Sequence, residues 1–204
     1  MRVALIGASG NVGSRILNEL INRGHEVTGI VRRTEKLPHS DRLFGMQGDI
    51  NDVSGLAQLI AGHDAVITAV KFHSMNAQSL IGAVKNAGVK RLLVVGGAGS
   101  LEVAPDVQLV DTPNFPEAYK PEALAGRDFL DTLRGERELD WTFLSPSALF
   151  VPGQRTGKFR LGTDRLLVGG NGESRISFED YAIALIDELE MPRHSRQRFT
   201  VGYW

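Results

Sequence analysis

Three glycines at three-residue spacing, Gly7-Ala-Ser-Gly10-Asn-Val-Gly13, stand between a short apolar run, Arg2 to Ile6, and a segment of helical periodicity. A turn this tight needs one glycine. A second lets the backbone approach a pyrophosphate, and a third lets the helix pack against the strand. The helix N-terminus then offers unpaired N–H groups and the positive end of its dipole to phosphate oxygens. A glycine triplet alone carries little weight. This one follows a strand, precedes an amphipathic helix and opens a βαβ unit, and that context gives it meaning. Gly7, Ser9, Gly10, Asn11, Val12 and Gly13 are therefore expected to bind the phosphates of a cofactor.

The first half of the chain continues the alternation. Val12, Ile16, Leu17, Leu20 and Ile21 recur at helical spacing up to Gly24. Strands are expected over 25–31, 43–47, 65–70 and 91–95, with helices over 52–60 and 74–87; Asn51 or Asp52 would cap the first of these. Near-continuous apolar strands between amphipathic helices predict an α/β fold, a doubly wound parallel sheet with right-handed crossovers. The second half is less regular. Residues 96–115 read as a long loop, and a helix runs from Pro116 or Pro121 to Arg134. A strand spans 140–145, a loop-rich stretch 154–171, a helix opens at Ser177 and ends before Pro192, and a last strand covers 198–204. With no repeat and no low-complexity linker, residues 1–204 are expected to form one domain. Long structured loops in compact domains usually serve sites, so 96–120 and 146–175 would build the acceptor side.

Composition narrows the classes. The absence of cysteine excludes disulfide frameworks, thiolate zinc sites and cysteine nucleophiles. The five histidines lack metal-ligand spacing, so no metal is expected. A net charge of -1 argues against a nucleic-acid partner. No apolar run is long enough for a membrane span and no signal-peptide layout opens the chain, so a cytoplasmic location away from membranes is expected.

The glycine loop, Val94-Val-Gly-Gly-Ala-Gly-Ser100, Leu139-Asp-Trp-Thr-Phe-Leu-Ser-Pro146 and Ile176-Ser-Phe-Glu-Asp-Tyr-Ala182 together resemble the atypical short-chain dehydrogenase/reductases. Within them the likeness is to compact NAD(P)H-binding reductases, the group of flavin reductase/biliverdin reductase B and NADH-flavin reductase-like proteins, with NmrA-type proteins more distant. The resemblance implies a Rossmann fold and a nicotinamide dinucleotide. Arg32-Arg33, 19 residues after Gly13, stands where enzymes using NAD place an acid. A guanidinium grips a phosphate with two hydrogen bonds, so this pair favours NADP(H) over NAD(H), and Thr34 could add a hydroxyl. The likeness also implies that Asp49 holds the adenine amine, capping of the next helix being the other reading. Ala69 and Val70 would lie against a ribose, and Pro146 and Ser147 would pass under the nicotinamide.

Two departures shape the functional expectation. Typical members carry Tyr-x-x-x-Lys, in which the lysine lowers the tyrosine's pKa. Here Tyr119 is followed four residues later by Ala123, and Lys120 points about 100° away on a helix. The serine that orients a substrate oxygen is replaced by Gly96-Gly97, with Ser100 further on. The expected function is an NADPH-dependent oxidoreductase transferring hydride to a small-molecule acceptor: a flavin such as FMN, a quinone or a similar planar molecule. The alternatives are a non-catalytic NAD(P)H sensor of NmrA type acting through a protein partner, and an epimerase or dehydrogenase with an altered acid/base pair. Tyr119 is the candidate catalytic residue. Phe150 would wall a pocket or pack in the core. Arg155 and Lys158 would bind an acidic acceptor or stay solvated, and His73 would donate a proton or sit idle on the surface. A homo-oligomer is compatible with the sequence.

Overall fold

The computed structural model describes Met1–Trp204. Its first half follows the hydrophobic pattern closely: β1 (Arg2–Ile6), α1 (Asn11–Asn22), β2 (Glu26–Val31), β3 (Leu43–Gln47), α2 (Val53–Ile60), β4 (Ala65–Thr68), α3 (Ala77–Asn86) and β5 (Arg91–Val95). The second half adds β6 (Glu102–Ala104), β7 (Val107–Gln108), α4 (Lys120–Arg134), β8 (Asp140–Ser145), β9 (Leu149–Val151), β10 (Arg160–Gly162), β11 (Arg175–Ser177), α5 (Phe178–Glu190) and β12 (Gln197–Gly202). One eight-stranded sheet runs β10-β12-β8-β5-β4-β1-β2-β3. All neighbours are parallel except β10, which pairs antiparallel with β12 at the edge. The order reverses between β1 and β4, and a doubly wound sheet opens a crevice at such a point beyond the carboxyl ends of its strands.

The two faces carry separate cores. Ile16, Leu17 and Leu20 of α1 meet Tyr181, Leu185 and Leu189 of α5 on one face; Leu56 and Ile60 of α2, Leu80 and Val84 of α3, and Phe129 and Leu133 of α4 cover the other. β1, β4 and β5 lie between them and are buried on both sides, which is why they read as continuous apolar runs rather than as alternations.

Several boundaries differ from the sequence expectation. β4 stops at Thr68 and α3 begins only at Ala77, because a 3-10 turn over Phe72–Ser74 intervenes and Asn76 caps α3 by accepting from the Ser79 N–H. The stretch 96–115, expected as loop, contains the β6–β7 hairpin, whose tip holds Asp106 in the left-handed region at φ 59°. Pro105-Asp106 is the turn signal that short strands hid. The 154–171 stretch contributes β10, and β9 pairs with β11 in a small parallel ribbon off the main sheet. α4 starts directly after Tyr119, as Pro121 suggested.

The loop after β9 is strapped down by the first turn of α5. Asp180 is fully buried and its carboxylate accepts from the Thr156 N–H (2.7 Å), the Gly157 N–H (2.8 Å), the Thr156 hydroxyl (2.7 Å) and the Tyr203 hydroxyl (2.6 Å). Ser177 caps the helix through the Asp180 N–H and donates to the Gln154 carbonyl, while Glu179 accepts from the Gly153 N–H. Burial pushes the Asp180 carboxyl up, but its hydrogen bonds from Tyr203, Thr156 and Gly157 outweigh that, and the net shift is downward. A depressed carboxyl contributes stability above its unfolded value of about 3.9 and loses it as pH falls through the folded value. Asp180→Asn keeps one acceptor oxygen for the two N–H groups and lets the hydroxyls turn round. It is expected to cost about 1–2 kcal/mol at pH 7 in chemical denaturation, with the gap to wild type closing below about pH 4.

Candidate functional site

Helix α1 begins at the sheet's reversal point, and its N-terminus is open. Asp52, Asn76 and Ser177 cap α2, α3 and α5 through their side chains, whereas the residue before α1 is Gly10, which has no side chain to offer. Ser14 is the first α1 residue whose N–H bonds back, to Gly10. The N–H groups of Asn11, Val12 and Gly13 have no partner within the protein. Three aligned orphan donors at the positive end of a helix dipole form a ready anion site.

The glycines make this approach sterically feasible. Gly7 has φ +84°, and a Cβ there would lie 2.9 Å from the Ala69 carbonyl oxygen. At Gly13 a Cβ would fall 1.9 Å from the Gly7 carbonyl oxygen, so the helix could not sit this close to the strand's end with any other residue. Beyond this turn lies a cleft of about 750 Å³. Gly7, Ser9, Gly10, Arg32, Asp49, Ala69 and Val70, all expected from the sequence, line it, and Gln47, Ile50, Asn51, Lys71 and Ser74 join them. Arg32 and Arg33 are exposed and their side chains make no hydrogen bond or ion pair; Arg32 lines the cleft and Arg33 is not among its lining residues. Thr34 opens a 3-10 turn outside the cleft. Asp49 accepts from the Asn51 N–H at 2.9 Å, while Asp52 does the helix capping, so Asp49 keeps its place on the cleft wall. The five added residues come from the ends of β3 and β4 and the turns after them. Lys71 directly follows Val70, and adjacency to an expected contact was the one signal available for it.

The turn carrying Lys71 and Ser74 is held from α4. Glu122 accepts from the Phe72 N–H (2.6 Å) and the His73 N–H (3.1 Å) and pairs with the His73 ring. Phe72 stacks on Phe143 and meets Phe129 at a tilt. His73 thus has a partner, which neither reading of it had supplied.

Pro146 and Ser147, directly after β8 and outside the cleft lining, are buried, and the Ser147 hydroxyl donates to the Val201 carbonyl at 2.8 Å. The Ser147 N–H has no partner within the protein. Tyr119 is 67% exposed, hydrogen-bonds nothing through its hydroxyl and lies outside the cleft lining. The missing lysine's position is filled by the methyl of Ala123, packed so tightly that a Cβ on Gly99 would come within 2.8 Å of it. Ser100 is buried, and its hydroxyl accepts from Arg198. Phe150 packs on Phe178 and Tyr181. Arg155, read as solvated or free to bind an acceptor, instead grips both oxygens of buried Glu19 at 2.9 Å; Lys158 is exposed and unpaired. An arginine straps the loop because Glu19, on the inner side of α1, needs cations to stay charged; hydrogen bonds from Arg155 and Arg23 hold its carboxyl below the usual range against burial.

A profile of NAD(P)H-binding proteins matches residues 7–189. The chain belongs to that NAD(P)H-binding family. It is 44% identical over 211 residues to the uncharacterised protein YwnB of Bacillus subtilis, covering 98% of each chain. Among solved structures it resembles a candidate epimerase of Bacteroides thetaiotaomicron (46% identity, TM-score 0.95, 99% and 96% of the two chains). It also resembles a candidate NADH-flavin reductase of Streptococcus pneumoniae (36% identity, TM-score 0.85, 100% of each chain). The uncapped helix and the glycine cradle suit the pyrophosphate of the family's dinucleotide, and the long cleft suits its adenosine half. No helix of the chain is long and apolar enough to cross a membrane.

Two glycines with opposite surroundings test the cradle. Gly13→Ala is expected to cost about 2 kcal/mol or more through overpacking, seen as a lower melting temperature, and to weaken NAD(P)H binding in calorimetry. Gly82 lies inside α3 with nothing within 4 Å of its would-be Cβ, so Gly82→Ala should stabilise by about 0.5–1 kcal/mol and leave binding unchanged.

Proposed function

We propose that this chain is an NADPH-dependent oxidoreductase whose acceptor is a flavin, a quinone or a similar planar conjugated molecule. The observation that carries this reading is an open cleft at the glycine turn in a chain whose acid–base pair is missing. Tyr119 is solvent-facing, the lysine position is a packed methyl, and Ser100 is bound by Arg198. Chemistry that needs a poised tyrosine to exchange a proton with a carbonyl is poorly served by such a site. When bound, the reduced nicotinamide supplies a hydride, which a flavin takes at N5 or a quinone takes into its ring system, the accompanying proton coming from solvent. This transfer asks the protein mainly for alignment of two rings and exclusion of water.

Each residue then has a task. The N–H groups of Asn11, Val12 and Gly13 hold the pyrophosphate, and Asp49 meets the adenine amine. Ala69 and Val70 leave room for a ribose. The free N–H of Ser147 orients the carboxamide and so sets which ring face is open. Arg32, unpaired on the cleft wall, and Arg33 beside it grip the 2′-phosphate, which favours NADPH over NADH. The S. pneumoniae relative supports the flavin choice. The B. thetaiotaomicron relative favours a second reading, an epimerase with Tyr119 as its acid or base.

Purified protein is expected to oxidise NADPH steadily with FMN, riboflavin or a member of a quinone panel, and Tyr119→Phe to lower that rate less than about tenfold. Binding of NADPH without turnover on any acceptor would overturn the reductase reading in favour of a sensor. Loss of all activity in Tyr119→Phe would favour the epimerase. Replacing Arg32 and Arg33 together by alanine should weaken NADPH binding about tenfold or more and leave NADH nearly unchanged; equal losses would make the pair structural.

A further inference from the structure

We infer that Arg198 is the positioning residue of the acceptor side, a single buried guanidinium that holds the two separate segments flanking the acceptor in register with the end of β8. The inference rests on the reductase reading for what those segments do, though not for how they are held. Arg198 enters from β12 level with Phe143 of β8, and only 3% of its side chain is exposed. Its Nη1 donates to the Ser100 hydroxyl at 2.9 Å and the Ser145 hydroxyl at 3.3 Å, its Nη2 to the Ser100 carbonyl at 3.3 Å, and its Nε to the Asp164 carboxylate at 3.0 Å.

These partners belong to three places that the chain reaches separately. Ser100 follows the glycines after β5. Ser145 is the residue before Pro146, whose neighbour Ser147 presents the free N–H. Asp164 lies in the stretch after β10, which also ladders with the other segment: the Glu102 N–H donates to the Asp164 carbonyl at 2.8 Å, and the Leu166 N–H to the Glu102 carbonyl at 2.9 Å. Through Arg198 the segments 96–120 and 146–175 become one wall with a fixed distance to the end of the sheet. A planar fork with five donors can serve two hydroxyls, a carbonyl and a carboxylate together; a lysine ammonium is a point with three donors and cannot reach them all. The chain contains a matched comparison. Arg91 is likewise buried, but it lies at the opposite, amino-terminal end of β5, where it holds Asp140, Thr142 and the Glu188 carbonyl.

The test compares R198K with R91K in the NADPH-bound full chain. Readouts are the KM for FMN or the best quinone, kcat, the affinity for NADPH, and backbone hydrogen exchange over 98–112 and 160–168. R198K is expected to raise the acceptor KM about tenfold or more, to leave NADPH affinity within about twofold, and to speed exchange in both segments together while residues 3–20 stay protected. R91K, which costs global stability at the other end of the sheet, should move neither the acceptor KM nor the difference between those segments and the rest. Equal exchange in the two variants, or an acceptor KM unchanged in R198K, would overturn the inference. If wild-type protein turns over no acceptor, the reductase reading falls while the exchange comparison still decides whether Arg198 joins the segments. Should R198K fail to fold, D164N takes its place, since it removes the carboxylate and leaves the arginine in position; faster exchange in both segments supports the inference, and in neither overturns it.

Discussion

The contact on which the rest of this molecule depends is the one between α1 and the end of β1, where Gly13 lies so near the Gly7 carbonyl that a methyl would sit 1.9 Å from it. A helix brought this close has its first turn directly over the sheet's reversal point. Because its cap is a glycine, the N–H groups there remain unsatisfied by the protein. Such donors are left to water or to an anion, and the helix dipole favours the anion. The same glycines that cost conformational entropy thus leave a helix N-terminus free to receive an anion.

Away from that turn the two halves of the chain are held by different physics. The first half is fastened by apolar area on both faces of β1, β4 and β5. In the second half α4, α5, β8 and β12 share those cores, but the short strands and loops between them bury little apolar surface and rely on polar side chains drawn inward. Asp180 gathers the 154–157 backbone, Glu19 receives Arg155, Glu122 holds the turn after β4, and Arg198 ties Ser100, Ser145 and Asp164. Each is directional and specifies one geometry, which apolar contact alone would leave slack.

That division also sets what could be read from the sequence. Strands and helices up to Val95 were legible because a doubly wound core demands continuous apolar runs in its central strands and a helical period in the elements that cover them, and the glycine loop was legible because its spacing is dictated by backbone sterics. The β6–β7 hairpin and β10 have two or three residues each, too few to display a period. The partners of Arg155 and Arg198 lie 136 and 98 residues away, at Glu19 and Ser100, and no local pattern carries information over such a distance. The Asp180 hub left a trace, since Ser177-Phe-Glu-Asp180 was recognisable as a cap with an acidic turn. Its second duty, organising the loop before it, depends on the fold bringing Thr156 and Tyr203 alongside.

Charge placement finally separates the groups that build the site from those that serve it. Buried Glu19, Asp180, Arg91 and Arg198 have partners in the protein, as the cost of an unpaired buried charge requires. Around the cleft the pattern inverts. Arg32, Arg33 and Lys71 are exposed and form no ion pair, although the chain's net charge is only -1 and acids are plentiful. A cation paired within the fold has to be stripped of its partner before it can meet an anion, whereas an unpaired one loses only water. This edge therefore presents neutral N–H donors at the glycine turn and positive charge that is unpaired within the fold along one wall.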